Sequence, residues 1–336
     1  MSARARELKL RAPAGVRSGM GAVQKPPDVL VLGAGGILGE AWMTGVLAGI
    51  EAGSGLDLRR CAAFVGTSAG SIVAAQLAGG VRPQVPVAIA ADEPLDDDPA
   101  SSGGSRAAQL ATAARRGLAA ASPFVPFALG AVAPGRALAG GMLLARLPRG
   151  EISLSDLGAR TARTGARFDG RLRVLAVDLA NGRRTVFGAP GAPAAGVPEA
   201  VQASCAVPGL FTPIAIRGRE YVDGGVWSPT NLDVAPVDRG SHVVCLVPTA
   251  HLGARIGSPL APLALLWRSA LALEAAALRR RGATVEIVQP DAGAAGAMGE
   301  ALMDPLPRRK VLAEGYRQGR RLAARGSEGR DARAVS

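Results

Sequence analysis

The sequence predicts an α/β protein built on a mostly parallel sheet, and three observations carry that expectation. Two short continuous apolar runs, residues 28–32 (DVLVL) and 61–65 (CAAFV), end in glycine-containing turns, the pattern of strands buried on both faces. Each run is followed by an apolar-periodic or alanine-rich stretch of helical length. Strand, helix, strand, helix with short turns places both strands in one parallel sheet, because crossovers between parallel strands are right-handed.

The elements follow in order. In the first helix, residues 39–53, Trp42, Val46 and Ile50 fall at i, i+4 and i+8 and Met43 with Leu47 at i and i+4, giving one apolar stripe. The second helix runs from the GTSAGS turn through Leu77. Residues 80–150 change character: Pro83, Pro86, Pro94, Pro99, an acidic cluster at 96–98 and SSGGS mark low-complexity, mobile sequence. Ala/Leu-rich helical pieces broken by Pro123, Pro126 and Pro134 follow, and the whole reads as a helical insertion over one face. Regular pattern resumes at residues 172–179 (LRVLAVDL), which Asn181-Gly182 turns into residues 184–187 as a hairpin. Residues 211–216 and 220–222 make a second short pair around Arg217-Gly218. Strands at 242–247 and 284–288 bracket an apolar helix at 260–277, with Arg279, Arg280 and Arg281 at its end, where the helix dipole favours cations. Arg268 and Glu274 interrupt that helix, so it reads as buried or surface-docked rather than membrane-spanning.

Of the 336 residues, 48% are apolar and 20% charged, which excludes disorder throughout. The formal net charge of +12 is concentrated at the ends: six basic residues against Glu7 in 1–27, and nine against Glu314, Glu328 and Asp331 in 305–336. The body is almost neutral, which argues against a nucleic-acid groove. The expected organisation is one domain over residues 28–325 with basic, disordered tails at 1–27 and 326–336. The basic arms suit peripheral contact with an anionic membrane. Cys61, Cys205 and Cys245 lie far apart in apolar runs and read as buried free thiols. With His242 and His251 the only histidines, and no C-x-x-C or H-E-x-x-H, no metal site is expected. No apolar run precedes Pro26, so the N-terminus is not read as a secretory signal and cytoplasmic residence is expected.

The strongest chemical signal is Gly66-Thr67-Ser68-Ala69-Gly70, between a buried strand and a helix. Small residues permit a tight turn that pushes the Ser68 oxygen out above the sheet, where N–H groups opening the next helix point to the same spot. The bland reading is a glycine-rich turn with a capping serine. Gly33-Ala34-Gly35-Gly36-Ile37-Leu38-Gly39, directly after the first strand, offers further free N–H donors, suited to phosphate or to the oxyanion of acyl transfer. A dinucleotide loop wants its third glycine one residue earlier and an acidic residue ending the next strand; Leu38 and Gly66-Thr67-Ser68 stand there instead. A serine needs a proton acceptor. His242 opens a late strand and His251 follows one in a loop, and both read as structural or surface residues. Asp223, in Tyr221-Val222-Asp223-Gly224-Gly225, is the other candidate, since a desolvated carboxylate within hydrogen-bond reach takes a serine proton directly. By itself, D-G-G is also a common turn.

Together these elements resemble the patatin-like phospholipase family: GAGGILG, then GTSAGS, then DGG, with Ala203-Ser204-Cys205-Ala206-Val207-Pro208 and Phe211-Thr212-Pro213 just before the aspartate. The resemblance covers residues 28–250, more weakly to 325. It implies a three-layer α/β/α fold and a serine acyl hydrolase of lipid esters, with Ser68 as nucleophile and Asp223 as base. It further implies backbone N–H donors at Gly35, Gly36 and Ala69, and Gly33, Gly39, Gly66, Gly70, Gly224 and Gly225 as motif positions. No cofactor or metal is expected. One departure is Leu38, where the family loop usually carries Arg or Lys. The competing expectations are a noncatalytic lipid-binding or membrane-associated protein on the same fold and a nucleotide-binding protein.

Overall fold

The computed structural model describes residues 26–91, 149–254 and 258–334. Of the expected N-terminal tail and of the insertion read over residues 80–150, residues 1–25 and 92–148 lie outside the described residues. Among the described residues one sheet is formed by β1 (Val29–Leu32), β2 (Ala63–Thr67), β3 (Leu172–Asp178), β4 (Arg184–Phe187), β5 (Ile214–Ile216), β6 (Arg219–Asp223), β7 (His242–Leu246) and β8 (Thr284–Val288). The helices are α1 (Gly36–Ser54), α2 (Ala69–Ala78), α3 (Val87–Ala90), α4 (Ser155–Ala162), α5 (Val197–Cys205), α6 (Ala261–Arg280), α7 (Ala292–Met298) and α8 (Arg308–Ala334).

The sheet order is β5-β6-β3-β2-β1-β7-β8, with β4 also paired to β3. Strands β3, β2, β1, β7 and β8 run parallel, and β4, β5 and β6 join antiparallel. The strand β3 is shared in an unusual way. Its residues Leu172 to Leu175 pair with β2, Val174 to Val177 with β4, and Ala176 to Asp178 with β6. Since β4 occupies one edge, β2 and β6 divide the other between them, β6 taking over where β2 stops.

Alternation along the strands builds two cores. Leu30, Leu32, Phe64, Val174 and Ala176 face a large cluster with side chains of α1, α2, α5 and α8, among them Trp42, Val46, Val73, Val201 and Val311. Val29, Val31, Val65 and Leu175 face the other way, against Leu232 and against Leu271, Ala275 and Leu278 of α6. Helices therefore sandwich the sheet on both faces, giving three layers. The apolar helix α6 docks by this one face, and Glu274 turns inward to accept hydrogen bonds from Thr230 Oγ1 at 2.6 Å and Leu232 N at 2.8 Å.

Several elements differ from the sequence reading, three of them near the site or at the C-terminal end. The strand β2 extends through Gly66 and Thr67, because these residues still pair with Val174 and Leu175 of β3. Helix α1 begins at Gly36, so the glycine loop is shorter than its run of glycines suggests. The C-terminal segment, assigned no helix from sequence, forms α8, which continues past residue 325 and lies along α1. Glycines set that approach: a Cβ at Gly49 would stand 2.2 Å from Tyr316 O, and one at Gly319 2.2 Å from Val46 O. The two backbones are in direct contact, a spacing that only glycine permits. The indole Nε1 of Trp42 donates to Gln318 Oε1 at 2.8 Å inside this interface. Basic side chains of α8 are used locally, Arg321 with Asp291 at 2.6 Å and Arg320 on Ala52 O at 3.1 Å.

Candidate active site

Ser68 follows the last residue of β2 and precedes the first of α2, with φ 52° and ψ −124°. A positive φ in a residue with a Cβ stores about 1–3 kcal/mol of strain, and the surroundings enforce it. A Cβ at Gly66 would meet Ser71 Cα at 2.5 Å, and one at Gly70 would meet Leu32 O at 1.9 Å, so the turn closes only with glycine at both positions. The Ser68 carbonyl accepts from Ser71 N at 2.8 Å and Ser71 Oγ at 2.6 Å, and Ser68 N donates to Ser204 Oγ at 2.9 Å. The main chain of Ser68 is thus held from two sides, and its side chain points along a third direction. There Ser68 Oγ donates to Asp223 Oδ2 at 2.6 Å.

Asp223 ends β6 and is 4% exposed. Its N–H donates to Ala206 O at 2.9 Å, and its Oδ1 accepts from Gly225 N at 2.7 Å, so one carboxylate oxygen is anchored to the turn and the other faces the serine. Gly224 is needed here because a Cβ would stand 2.3 Å from Leu175 O. Burial pushes the Asp223 carboxyl up to about 7, against the opposing pull of the hydrogen bonds from Ser68 and Gly225. A carboxylate with that affinity for a proton is matched to exchanging one near neutrality.

The glycine-rich loop closes the third side. Gly33 N and Ala34 N donate to Leu246 O at 3.0 Å and Pro229 O at 2.7 Å, which pins the loop to the end of β7 and to the segment after the DGG turn. Ala34 Cβ lies 3.3 Å from where a Cβ of Gly225 would stand, so loop and turn touch. Gly35 and Gly39 pack against Pro248, and Gly36, at φ +59°, packs against Leu302 O and Met303 Sδ. The N–H groups of Gly35, Gly36 and Ala69 find no hydrogen-bond partner among the described residues. Two of them open helices, where the first N–H groups have no intrahelical acceptor and the helix dipole is positive. Leu38 is fully buried in the larger core, so its side chain points away from these N–H groups.

Both histidines lie apart from this geometry. His242 opens β7, at the end of the sheet opposite to Ser68, and its Nε2 faces Glu286 at 3.6 Å. His251 sets Nδ1 2.8 Å from Pro248 O and Nε2 2.7 Å from Gly299 O, so main-chain carbonyls occupy both ring nitrogens. All three cysteines are buried free thiols. Burial pushes Cys61 up to about 12 and also raises Cys205 and Cys245, which makes them poor nucleophiles. Among the described residues no group of three or more His, Cys, Asp or Glu is placed to hold a metal ion.

Two supporting residues escaped the sequence reading of the site. Ser204 lies in a motif segment, yet its role as acceptor for Ser68 N appears only when α5 is seen to end beneath α2. Asn231, at φ 47°, donates through Nδ2 to Thr67 Oγ1 at 3.1 Å, Gly224 O at 3.3 Å and Ser228 O at 2.6 Å. It bridges the end of β2 to the DGG turn, and no local pattern marks it. In comparison with known proteins, the family model described as patatin-like phospholipase matches residues 30–236. No curated protein matches the chain.

Proposed function

The chain belongs to the patatin-like phospholipase family, a family of lipid acyl hydrolases, and from that premise we propose that its chemistry runs through Ser68 and Asp223. Ser68 Oγ attacks the carbonyl carbon of a lipid carboxylic ester while Asp223 Oδ2 accepts the serine proton. The oxygen of the tetrahedral intermediate gathers negative charge within reach of the N–H groups of Gly35, Gly36 and Ala69. Collapse releases the alcohol, which takes the proton back from Asp223 and leaves an acyl-Ser68 ester. Water deprotonated by the same carboxylate then attacks that ester, and a second collapse frees the carboxylic acid and regenerates Ser68.

The observation that supports this reading most directly is the 2.6 Å hydrogen bond between a strained serine and a buried carboxylate. Neither histidine competes for the role of base, and the three unpaired N–H groups supply the other half of the chemistry. Labelling with a fluorophosphonate probe tests it: the wild type is expected to be labelled and Ser68→Ala to be silent. Absence of labelling in both would point to a noncatalytic lipid-binding protein. A panel of lipid esters, compared between wild type and Ser68→Ala, then assigns the substrate class.

The basic N-terminal residues suit a second role, in which a cytoplasmic enzyme rests peripherally on anionic lipid. Removing residues 1–24 is expected to weaken binding to anionic vesicles at low salt and to leave hydrolysis of a soluble ester unchanged. Unchanged vesicle binding would retire that role.

A further inference from the structure

On the sheet face opposite α1 and α2 lies a cavity of about 450 Å³ that takes no part in the chemistry above. Its floor is Arg173 of β3 with Val186 of β4, its walls are Ala189 and residues 233–238, and Arg281 closes it at the end of α6. Arg173 shares its face with Leu175, on the side of the second core. Two guanidinium groups therefore line one open cavity, together with Asp233 and Asp238, and the surface it exposes is more polar than apolar.

Neither cation has an acidic partner among the described residues. Arg173 spends Nη1 on Val234 O, and its Nε is buried with no hydrogen-bond partner. Arg281 donates through Nη2 to Val237 O at 2.9 Å. The nearby Asp233 is taken by Arg184 in a two-pronged pair at 2.7 and 2.8 Å. Asp238, exposed at the rim, bonds to neither arginine through its side chain. Burial and the neighbouring Arg281 charge both disfavour the charged form of Arg173. A partly desolvated cation facing a second cation is an unbalanced arrangement, which a bound anion corrects.

We infer that this cavity binds a small organic anion, its carboxylate held between Arg173 and Arg281. The planar guanidinium fork matches a carboxylate in two-pronged geometry.

Calorimetric titration of the full chain with hexanoate tests this, with hexyl phosphate and hexyltrimethylammonium as parallel probes. Hexanoate is expected to bind, the ammonium not, and Arg281→Gln or Arg173→Gln to weaken hexanoate by at least about 10-fold, as the loss of a charge-assisted hydrogen bond implies. Asp238→Asn removes a competing carboxylate and is expected to tighten binding. Arg281 is exposed, so its variant is the one that tests the proposal if Arg173→Gln does not fold. Hexanoate binding that both arginine variants leave unchanged would locate the anion elsewhere, the acyl site included. No binding at millimolar hexanoate, or markedly tighter binding of hexyl phosphate, would equally overturn the carboxylate assignment.

Discussion

Thr67 and Asp223 are the last residues of two strands that meet end to end on one edge of β3, paired with its consecutive residues Leu175 and Ala176. The parallel strand β2 and the antiparallel strand β6 thus point their C-terminal ends at each other. Ser68 comes one residue after the first end and Asp223 is the second, which is why groups 155 residues apart in the chain stand 2.6 Å apart. The sheet, rather than a loop, sets their separation. Such rigidity favours a reaction that needs reacting groups held in one geometry.

On the proposed mechanism, Asp223→Asn keeps the shape and the anchoring oxygen for Gly225 N but cannot accept the Ser68 proton. Turnover of a soluble ester is expected to fall by about 10²–10⁴-fold, the usual range for a positioned base, while the protein stays folded by circular dichroism. Near-normal kcat in a folded Asn variant would remove Asp223 from the mechanism.

How much of this was legible in the sequence depends on the range of the interaction. Strand β1, the motif turn and helix α2 were legible because each is local: a buried apolar run, a glycine-flanked serine and an alanine-rich helix. The 172–187 hairpin was equally plain from Asn181-Gly182. Helix α8 was hidden by its composition, since Arg309, Lys310, Arg317, Arg320 and Arg321 read as part of the positive charge gathered at the C-terminal end. It buries Val311, Leu312, Ala313 and Ala323 beside Gly315 and Gly319, which bring its backbone against α1, and these few apolar residues among so many charges leave only a weak hydrophobic signature. Ser204 and Asn231 act across long sequence separations, 136 residues from Ser68 and 164 from Thr67, which no local pattern encodes.

Ser204→Ala should show what holds the strained serine in place. Ser204 is fully buried, and removing its oxygen leaves Ser68 N–H without an acceptor. The expected loss is about 1–3 kcal/mol of stability, the cost of an unsatisfied buried donor. A lowered kcat should accompany it, with KM for a soluble ester little changed. Unaltered melting and kcat would mean that the turn is held without this bond.

Replacing Gly49 by alanine tests the contact between α1 and α8. The new Cβ would sit 2.2 Å from Tyr316 O, so the helices must part, and a loss of about 1–3 kcal/mol is expected from overpacking of this kind. Gly296→Ala is the control, because that position is exposed in α7 with nothing within 4 Å of an added Cβ. It is expected to stabilise by about 0.4–1 kcal/mol. Chemical denaturation of both variants decides the matter, and equal effects would mean that the close packing does not constrain the fold.

The pH dependence joins activity to stability through one group. Asp223 must be ionised to accept a proton, and its carboxyl is raised to about 7, chiefly by burial. The kcat/KM for a soluble ester should therefore rise about tenfold per pH unit below 7 and level off above it. Stability should run the other way. In the unfolded chain this carboxyl ionises near its ordinary value of 3.8, so between there and about 7 the folded protein holds a proton that the unfolded chain has released. Stability then falls as pH rises across that window and reaches its full loss above 7, on the order of 4 kcal/mol for a displacement of this size. Asp223→Asn carries no charge at either end of the window and escapes the penalty. Its stability relative to wild type should grow between pH 4 and 7 and stay constant above, as followed by urea denaturation at pH 4.5, 6 and 8. A difference that is the same at all three values would show that Asp223 is not buried against its charge, and the neutral-pH base would lose its physical footing.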